Sequence, residues 1–210
     1  MTHQSKATSK PIVIIIERLF EPHKSFNKRQ TPKGSSFPSP GDRVSLDDTM
    51  LKKERRMAPE FEEKLSKLGV NLPEAPAPAA NYVPYVQVGD MLYVSGQISI
   101  GPEGLIKGKL GLDMTTEQGA EAAKICAINL LSQVKAACGG DLDRLIRVVK
   151  LTGFVNSTAD YTDQPAVING ASNLLGEALG EAGKHARAAV SAAALPLGVA
   201  VEIEGIFQIR

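Results

Sequence analysis

Residues 186–208 read ARAAVSAAALPLGVAVEIEGIFQ, two alternating runs, Ala186 to Ala194 and Val199 to Gln208, on either side of a Leu195-Pro196-Leu197-Gly198 turn. A period of two marks a strand with one face buried, and a short turn between two such runs predicts an antiparallel hairpin. In simple register, residues whose numbers sum to 393 lie opposite one another, so Ser191 faces Glu202 and Ala189 faces Glu204. One face then carries Ala188, Val190, Ala192, Ala194, Val199, Val201, Ile203 and Phe207, which belongs under helices. The other carries Arg187, Ala189, Ser191, Glu202, Glu204 and Ile206. A bulge of one residue breaks this register.

Upstream, Leu92, Val94, Ile98 and Ile100 alternate with Tyr93, Ser95, Gln97 and Ser99, and Val83 to Val88 precedes them across a Gly89-Asp90 turn. That pattern predicts a second hairpin. Leu105 to Leu110 adds a third strand. Thr115 and Gln118 have the spacing of a capping box, opening a helix whose Ala123, Ala127, Leu130, Leu131 and Val134 share a face and which ends before Gly139 and Gly140. Arg144 to Val155 is rich in β-branched residues and reads as a strand. Pro165 suits the first turn of a second helix, with Val167, Ala171, Leu174, Leu175 and Ala178 in a stripe up to Gly180. The order β-β-β-α-β-α-β-β predicts an α+β domain with two helices packed on one face of a mixed sheet.

The chain has 210 residues, enough for one domain with a tail, since single cores hold roughly 100 to 200 residues. Residues 1–56 carry 12 Lys and Arg against 6 Asp and Glu, leaving 12 against 17 for residues 57–210. The overall charge of +1 therefore conceals +6 beside −5. Residues 1–56 have no sustained period and read as a basic, disordered tail or as a start placed too far upstream; a basic tail with a role of its own is the rival. Deleting them is expected to leave the thermal midpoint and assembly of the rest unchanged, and a large fall in either would show that the tail packs on the body. Residues 57–80 hold a short helix, with Phe61, Leu65 and Leu68 at helical spacing before Gly69, and then a linker rich in Pro and Ala. The folded body occupies 81–210.

Nucleic acid is disfavoured by the acidic body and by the lack of Trp in a chain with 5% aromatics. The run Ile12 to Ile16 is too short for a signal-peptide core, and no stretch approaches the roughly 20 apolar residues of a membrane span, so a soluble, cytoplasmic protein is expected. Cys126, Cys138, His3, His23 and His185 have no metal-ligand spacing, and the two thiols read as small buried hydrophobes on the first long helix. No Walker, dinucleotide-glycine or G-x-S-x-G pattern is present.

Arg187 and Glu202, on one expected face among Ala, Ser and Ile, are the residues with chemistry in them. The face is too apolar to leave wet, which points to a second subunit covering it. Arg187 and Glu202 then form either an interface ion pair that fixes subunit register or a site in which the guanidinium fork holds a carboxylate and Glu202 moves a proton or orients water. Spacing alone does not separate the two. His185 shares the parity of Arg187, but at the mouth of a strand it reads as an ordinary polar edge residue.

Pro84-Tyr85-Val86, Ser95-Gly96-Gln97, Ala186-Arg187-Ala188-Ala189-Val190, and Leu195-Pro196 followed by Val201-Glu202-Ile203-Glu204 together resemble the RidA/YjgF family, also called L-PSP endoribonuclease and related in fold to the AroH type of chorismate mutase. Leu151 to Asn156 and Val167 to Ser172 are most similar to its YjgF/chorismate mutase-like putative endoribonuclease branch. The likeness runs from about Tyr82 to Arg210 and implies a chorismate mutase-like fold in a homotrimer with sites between subunits. It also implies a cofactor-free imine deaminase, a hydrolase turning reactive enamine or imine intermediates of the 2-aminoacrylate type into a 2-keto acid and ammonia. By the resemblance Arg187 holds the substrate carboxylate, Glu202 lies near the attacking water, Tyr85 closes the cleft, and Ser95 and Ala189 contribute to substrate binding. The chain departs from the family pattern at Val83, Ala188 and Ala189. An RNA-cleaving enzyme and a metabolite-binding trimer without turnover are the alternatives.

Overall fold

The two glycines after Lys67 and Val88 take left-handed backbone angles, φ 72° at Gly69 and 62° at Gly89, and each closes a local unit where the sequence predicts one. The first is helix α1, Phe61–Lys67, with Phe61 and Leu65 buried. Leu68, expected on the same stripe, is exposed, and Val70 folds back into the core in its place, its N–H donating to Leu65 O at 2.9 Å. The second is the hairpin of β1, Tyr85–Val88, and β2, Met91–Ile98. This computed structural model describes residues 61–75 and 81–210; the expectations for residues 1–56 and for residues 76–80 of the linker fall outside them.

Helix α2, Thr116–Ala137, begins with the capping box read from the sequence: Gln118 N–H donates to Thr115 Oγ1 and Thr115 N–H to Gln118 Oε1. Strand β5, Leu145–Asn156, leads through helix α3, Gln164–Leu179, to β6, Ala186–Ala192, and the chain then runs into β7, Val201–Ile209. The main sheet has the order β1-β2-β7-β5-β6, mixed because β5 and β6 are parallel and every other pair is antiparallel. Helices α2 and α3 cover one face, over a core that includes Leu130, Leu131, Leu151, Ile168, Leu175, Ile203 and Phe207. Among the described residues three α-helices and a mixed sheet make an α+β domain, the class expected from the element order. Among the described residues no helix is long and apolar enough to cross a membrane.

Two expectations need correcting. Leu105 to Leu110 is not a third sheet strand. Ile100–Gly101 (β3) and Gly104–Leu105 (β4) make a separate small hairpin, after which the chain crosses the rim by single bridges, Lys107 to Val199 and Leu110 to Ser157. More consequentially, the two C-terminal strands are not a hairpin. β5 lies between them, with Thr152 opposite Ala188 on one side and Glu204 on the other. The cause is α3: a helix joining two strands carries the chain back to the starting end, so β6 must run parallel to β5. The 393 register therefore has no counterpart.

Candidate functional site

On β7 the predicted parity holds. Val201, Ile203, Gly205, Phe207 and Ile209 are buried, while Glu202, Glu204 and Ile206 point to the face without helices. That open face also carries Val86, Tyr93, Lys150, Thr152, Phe154 and Val190, and Val86, Tyr93 and Val190 are each about half exposed. Apolar side chains of this size do not usually stand in a row in water.

Glu202 sits opposite Ile98 on one side and Phe154 on the other. Between Val94 and Gln97 the β2–β7 register slips, inserting one residue, and such a bulge re-aims side chains. It brings Gly96 beneath the Glu202 carboxylate so closely that a Cβ there would lie 2.1 Å from Oε1. Burial, and secondarily the charge of Glu204, raise the Glu202 pKa above the ordinary carboxylate value. Among the described residues it makes no ion pair. A half-buried carboxylate of raised basicity without a cation is suited to accept a proton.

Ser95, in the same bulge, donates its hydroxyl to Val83 O at 2.9 Å and its N–H to Pro84 O at 2.9 Å, tying the segment before β1 to β2. With Tyr93, Lys150, Thr152 and Glu204 it lines a hollow of about 270 Å³ on the open face. Tyr85 pairs with Val94 and so faces the helices, half-buried against the core. Ala189, opposite Gly153, also packs partly against the core.

Arg187 is opposite Leu151, whose side chain is buried under the helices. It lies on the helix face of the exposed edge strand β6, and the expectation that it shares a face with Glu202 is overturned. Parity within β6 was right, but the strand is attached to β5 instead of β7, which inverts its faces. Arg187 Nη1 donates to Asn169 Oδ1 at 2.8 Å and to Ser172 Oγ at 3.0 Å, both from α3. Ser172 Oγ is 3.1 Å from His185 Nε2, and His185 Nδ1 is 2.6 Å from Gly183 O. Asn169 and Ser172 have no expected role from sequence; their polarity beside the apolar stripe of α3 is the signal that marks them.

Within one chain Arg187 and Glu202 are two strand spacings apart, about 9.5 Å, three residues along the strands, about 10 Å, and on opposite faces. One small molecule cannot touch both. Cys126 and Cys138 are buried, and burial raises both thiol pKa values, Cys126 strongly, which disfavours thiolate chemistry. Among the described residues no group of three His, Cys, Asp or Glu is placed to hold a metal ion. A larger hollow, about 670 Å³, lies between residues 68–74, the β3–β4 hairpin and α2 and includes none of the residues expected in the site.

The family described as "YjgF/chorismate mutase-like, putative endoribonuclease" matches residues 62–204. Protein TCP17 of Trypanosoma cruzi is 48% identical over 150 residues, which span 70% of this chain and 92% of that protein. The 2-iminobutanoate/2-iminopropanoate deaminase of Mus musculus is 29% identical over 137 residues, 65% of this chain and 87% of the mouse protein. Among solved structures, the protein Atu1372 of Agrobacterium tumefaciens superposes with a TM-score of 0.68 at 45% identity, covering 74% of this chain and 97% of its own.

Proposed function

Since the chain belongs to the YjgF/chorismate mutase-like, putative endoribonuclease family, whose RidA/YjgF relatives include an imine deaminase, we propose that it hydrolyses small carboxylate-bearing imines to 2-keto acids and ammonia, at sites shared between copies of the chain. Arg187 holds the carboxylate. Glu202 takes a proton from the water that attacks the protonated imine carbon and passes it to the nitrogen of the tetrahedral adduct; ammonia then leaves as the carbonyl forms and the hydroxyl proton returns to Glu202. A protonated imine is already electrophilic, so orientation and one proton acceptor suffice.

The observation that carries this reading is the half-buried Glu202 carboxylate over Gly96, raised in basicity and without a cation. The separation of Arg187 from Glu202 supports the intersubunit arrangement, because a second copy seated on the open face brings its own Arg187 edge to this Glu202. Three copies in a closed ring use every such face once, which makes the homotrimer the assembly of choice. Ser95 lines the open-face hollow with Glu204, next in sequence to the Gly96 that lies under Glu202, and is assigned to the substrate side of the cleft. Tyr85 and Ala189, turned toward the core of their own chain, reach substrate only at an edge. RNA is disfavoured as substrate, because Glu202 and Glu204 give the open face negative charge toward a polyanion.

Mixing tests both parts of the proposal. Light scattering at micromolar concentration should return a closed oligomer, and a monomer would remove the shared site. Arg187→Ala and Glu202→Gln should each be nearly inactive alone. Unfolded together and reassembled, they should regain activity at about one site in four by random assortment. No recovery from a verified mixed oligomer would return both residues to one chain's site, which the geometry disallows, and the deaminase assignment would fall.

A further inference from the structure

Asn169 and Ser172 are three residues apart on α3, hence on one face of the helix, and that face meets the start of β6. A guanidinium has five N–H donors and no acceptor. Nη1 has two of them, and both are occupied, by Asn169 Oδ1 and Ser172 Oγ. The remaining three belong to Nε and Nη2, which have no hydrogen-bond partner among the described residues. Nε–H and one Nη2–H run parallel along a single edge of the plane, at the spacing of the two oxygens of a carboxylate.

The protons behind this contact can be assigned. Gly183 O only accepts, so His185 Nδ1 carries a hydrogen toward it. In the neutral ring Nε2 is then bare and accepts the Ser172 hydroxyl proton. With that proton committed, Ser172 Oγ presents only lone pairs to Arg187. Donation therefore runs one way, from Arg187 to Ser172 to His185 to the Gly183 carbonyl, and each bond polarises the next.

We propose that Asn169, Ser172 and His185 are positioning residues that pin one terminal nitrogen of Arg187 and present its Nε–Nη2 edge, side-on, to the substrate carboxylate. This rests on reading Arg187 as the carboxylate anchor. An unpinned arginine on an exposed edge strand samples many rotamers, of which few aim that edge outward. The three residues thus act on carboxylate affinity and leave the proton transfer at Glu202 alone.

The test uses the full-length assembled protein, with pyruvate as the binding probe in calorimetry and a freshly generated 2-imino acid as substrate. Arg187→Ala should abolish pyruvate binding; wild-type binding by that variant overturns the anchor and the positioning inference with it. If Arg187→Ala does lose binding, Asn169→Ala combined with Ser172→Ala should weaken pyruvate binding and raise KM by roughly tenfold or more, at the scale of hydrogen bonds to a charged group, with kcat kept within about twofold. Ser172→Thr, which keeps the hydroxyl, should restore most of the loss. Unchanged binding in the double variant, or a fall confined to kcat, overturns the positioning role while leaving the anchor standing. Should the Ser172 variants fail to assemble, Asn169→Ala at its exposed position decides by itself, since unchanged pyruvate affinity there also overturns it.

Discussion

Glu202→Gln will assemble and bind pyruvate like the parent, yet release ammonia from a freshly generated 2-aminoacrylate-type substrate about 10²-fold more slowly, the usual contribution of a positioned general base. Glutamine keeps the shape of a side chain that has to fit over Gly96 and removes only its basicity. In the parent, the rate should climb with pH through a pKa above the ordinary carboxylate value, because burial and then Glu204 raise it. Glu204→Gln removes the second cause and keeps the base, so its acid limb should move to lower pH. Stability gives an independent reading. A carboxylate whose folded pKa exceeds its unfolded one contributes stability that is complete below the unfolded pKa and is lost as the pH rises through the folded value. Glu202→Gln, always neutral, should therefore match the parent in acid and melt at a higher temperature near neutrality. Wild-type turnover by this variant would show that another group accepts the proton.

A pair of substitutions on α3 should have opposite signs although both are Gly→Ala in one helix. At Gly170 a Cβ would lie 1.9 Å from Ala120 O and 2.6 Å from its carbonyl carbon. Both are backbone atoms of α2, so no side chain can turn aside and the helices must separate. The expected cost is about 3 kcal/mol of overpacking, offset by the roughly 1 kcal/mol by which alanine favours helix over glycine, leaving a net loss near 2 kcal/mol. At Gly176 nothing stands within 4 Å, and alanine should stabilise by about 0.5–1 kcal/mol. Denaturant midpoints at one fixed protein concentration would measure both, since association adds to apparent stability. Equal shifts would mean that α2 and α3 do not touch at Gly170.

The contrast between legible and illegible features follows from how much each residue's side chain discriminates between environments. Thr115 and Gln118 identify the start of α2 because a capping box works within one turn of helix. Glu202 and Glu204 declare the open face of β7 because they alternate with Val201, Ile203 and Phe207. β6 offers no such contrast, since Ala186, Ala188, Ala189 and Ala192 tolerate either face. The turn at Leu195 to Gly198 then suggested a hairpin that the long-range β5–α3–β6 unit overrides. The missed clue was topological: a helix between two strands calls for a parallel pair. Pairing with β5 turns Arg187 to the helix face, where its partners on α3 lie. Asn169 and Ser172, two polar residues one turn apart beside a buried stripe, carry a weaker signal, since their partner Arg187 comes from another element.

β7, the latest of the strands in chain order, is the central one, hydrogen-bonded to β2 on one side and β5 on the other. During synthesis, the β1–β2 hairpin and the β5–α3–β6 unit are therefore complete before anything can join them. Until Val201–Ile209 has emerged, each presents a bare edge to solvent or to neighbouring nascent chains, the condition under which strands pair with the wrong partner. The domain closes in a single late event, like a zip drawn by its final link. Its demand on chaperones should be set by the time between translation of residue 156 and of residue 209, and slow codons in that interval should raise aggregation more than slow codons anywhere upstream.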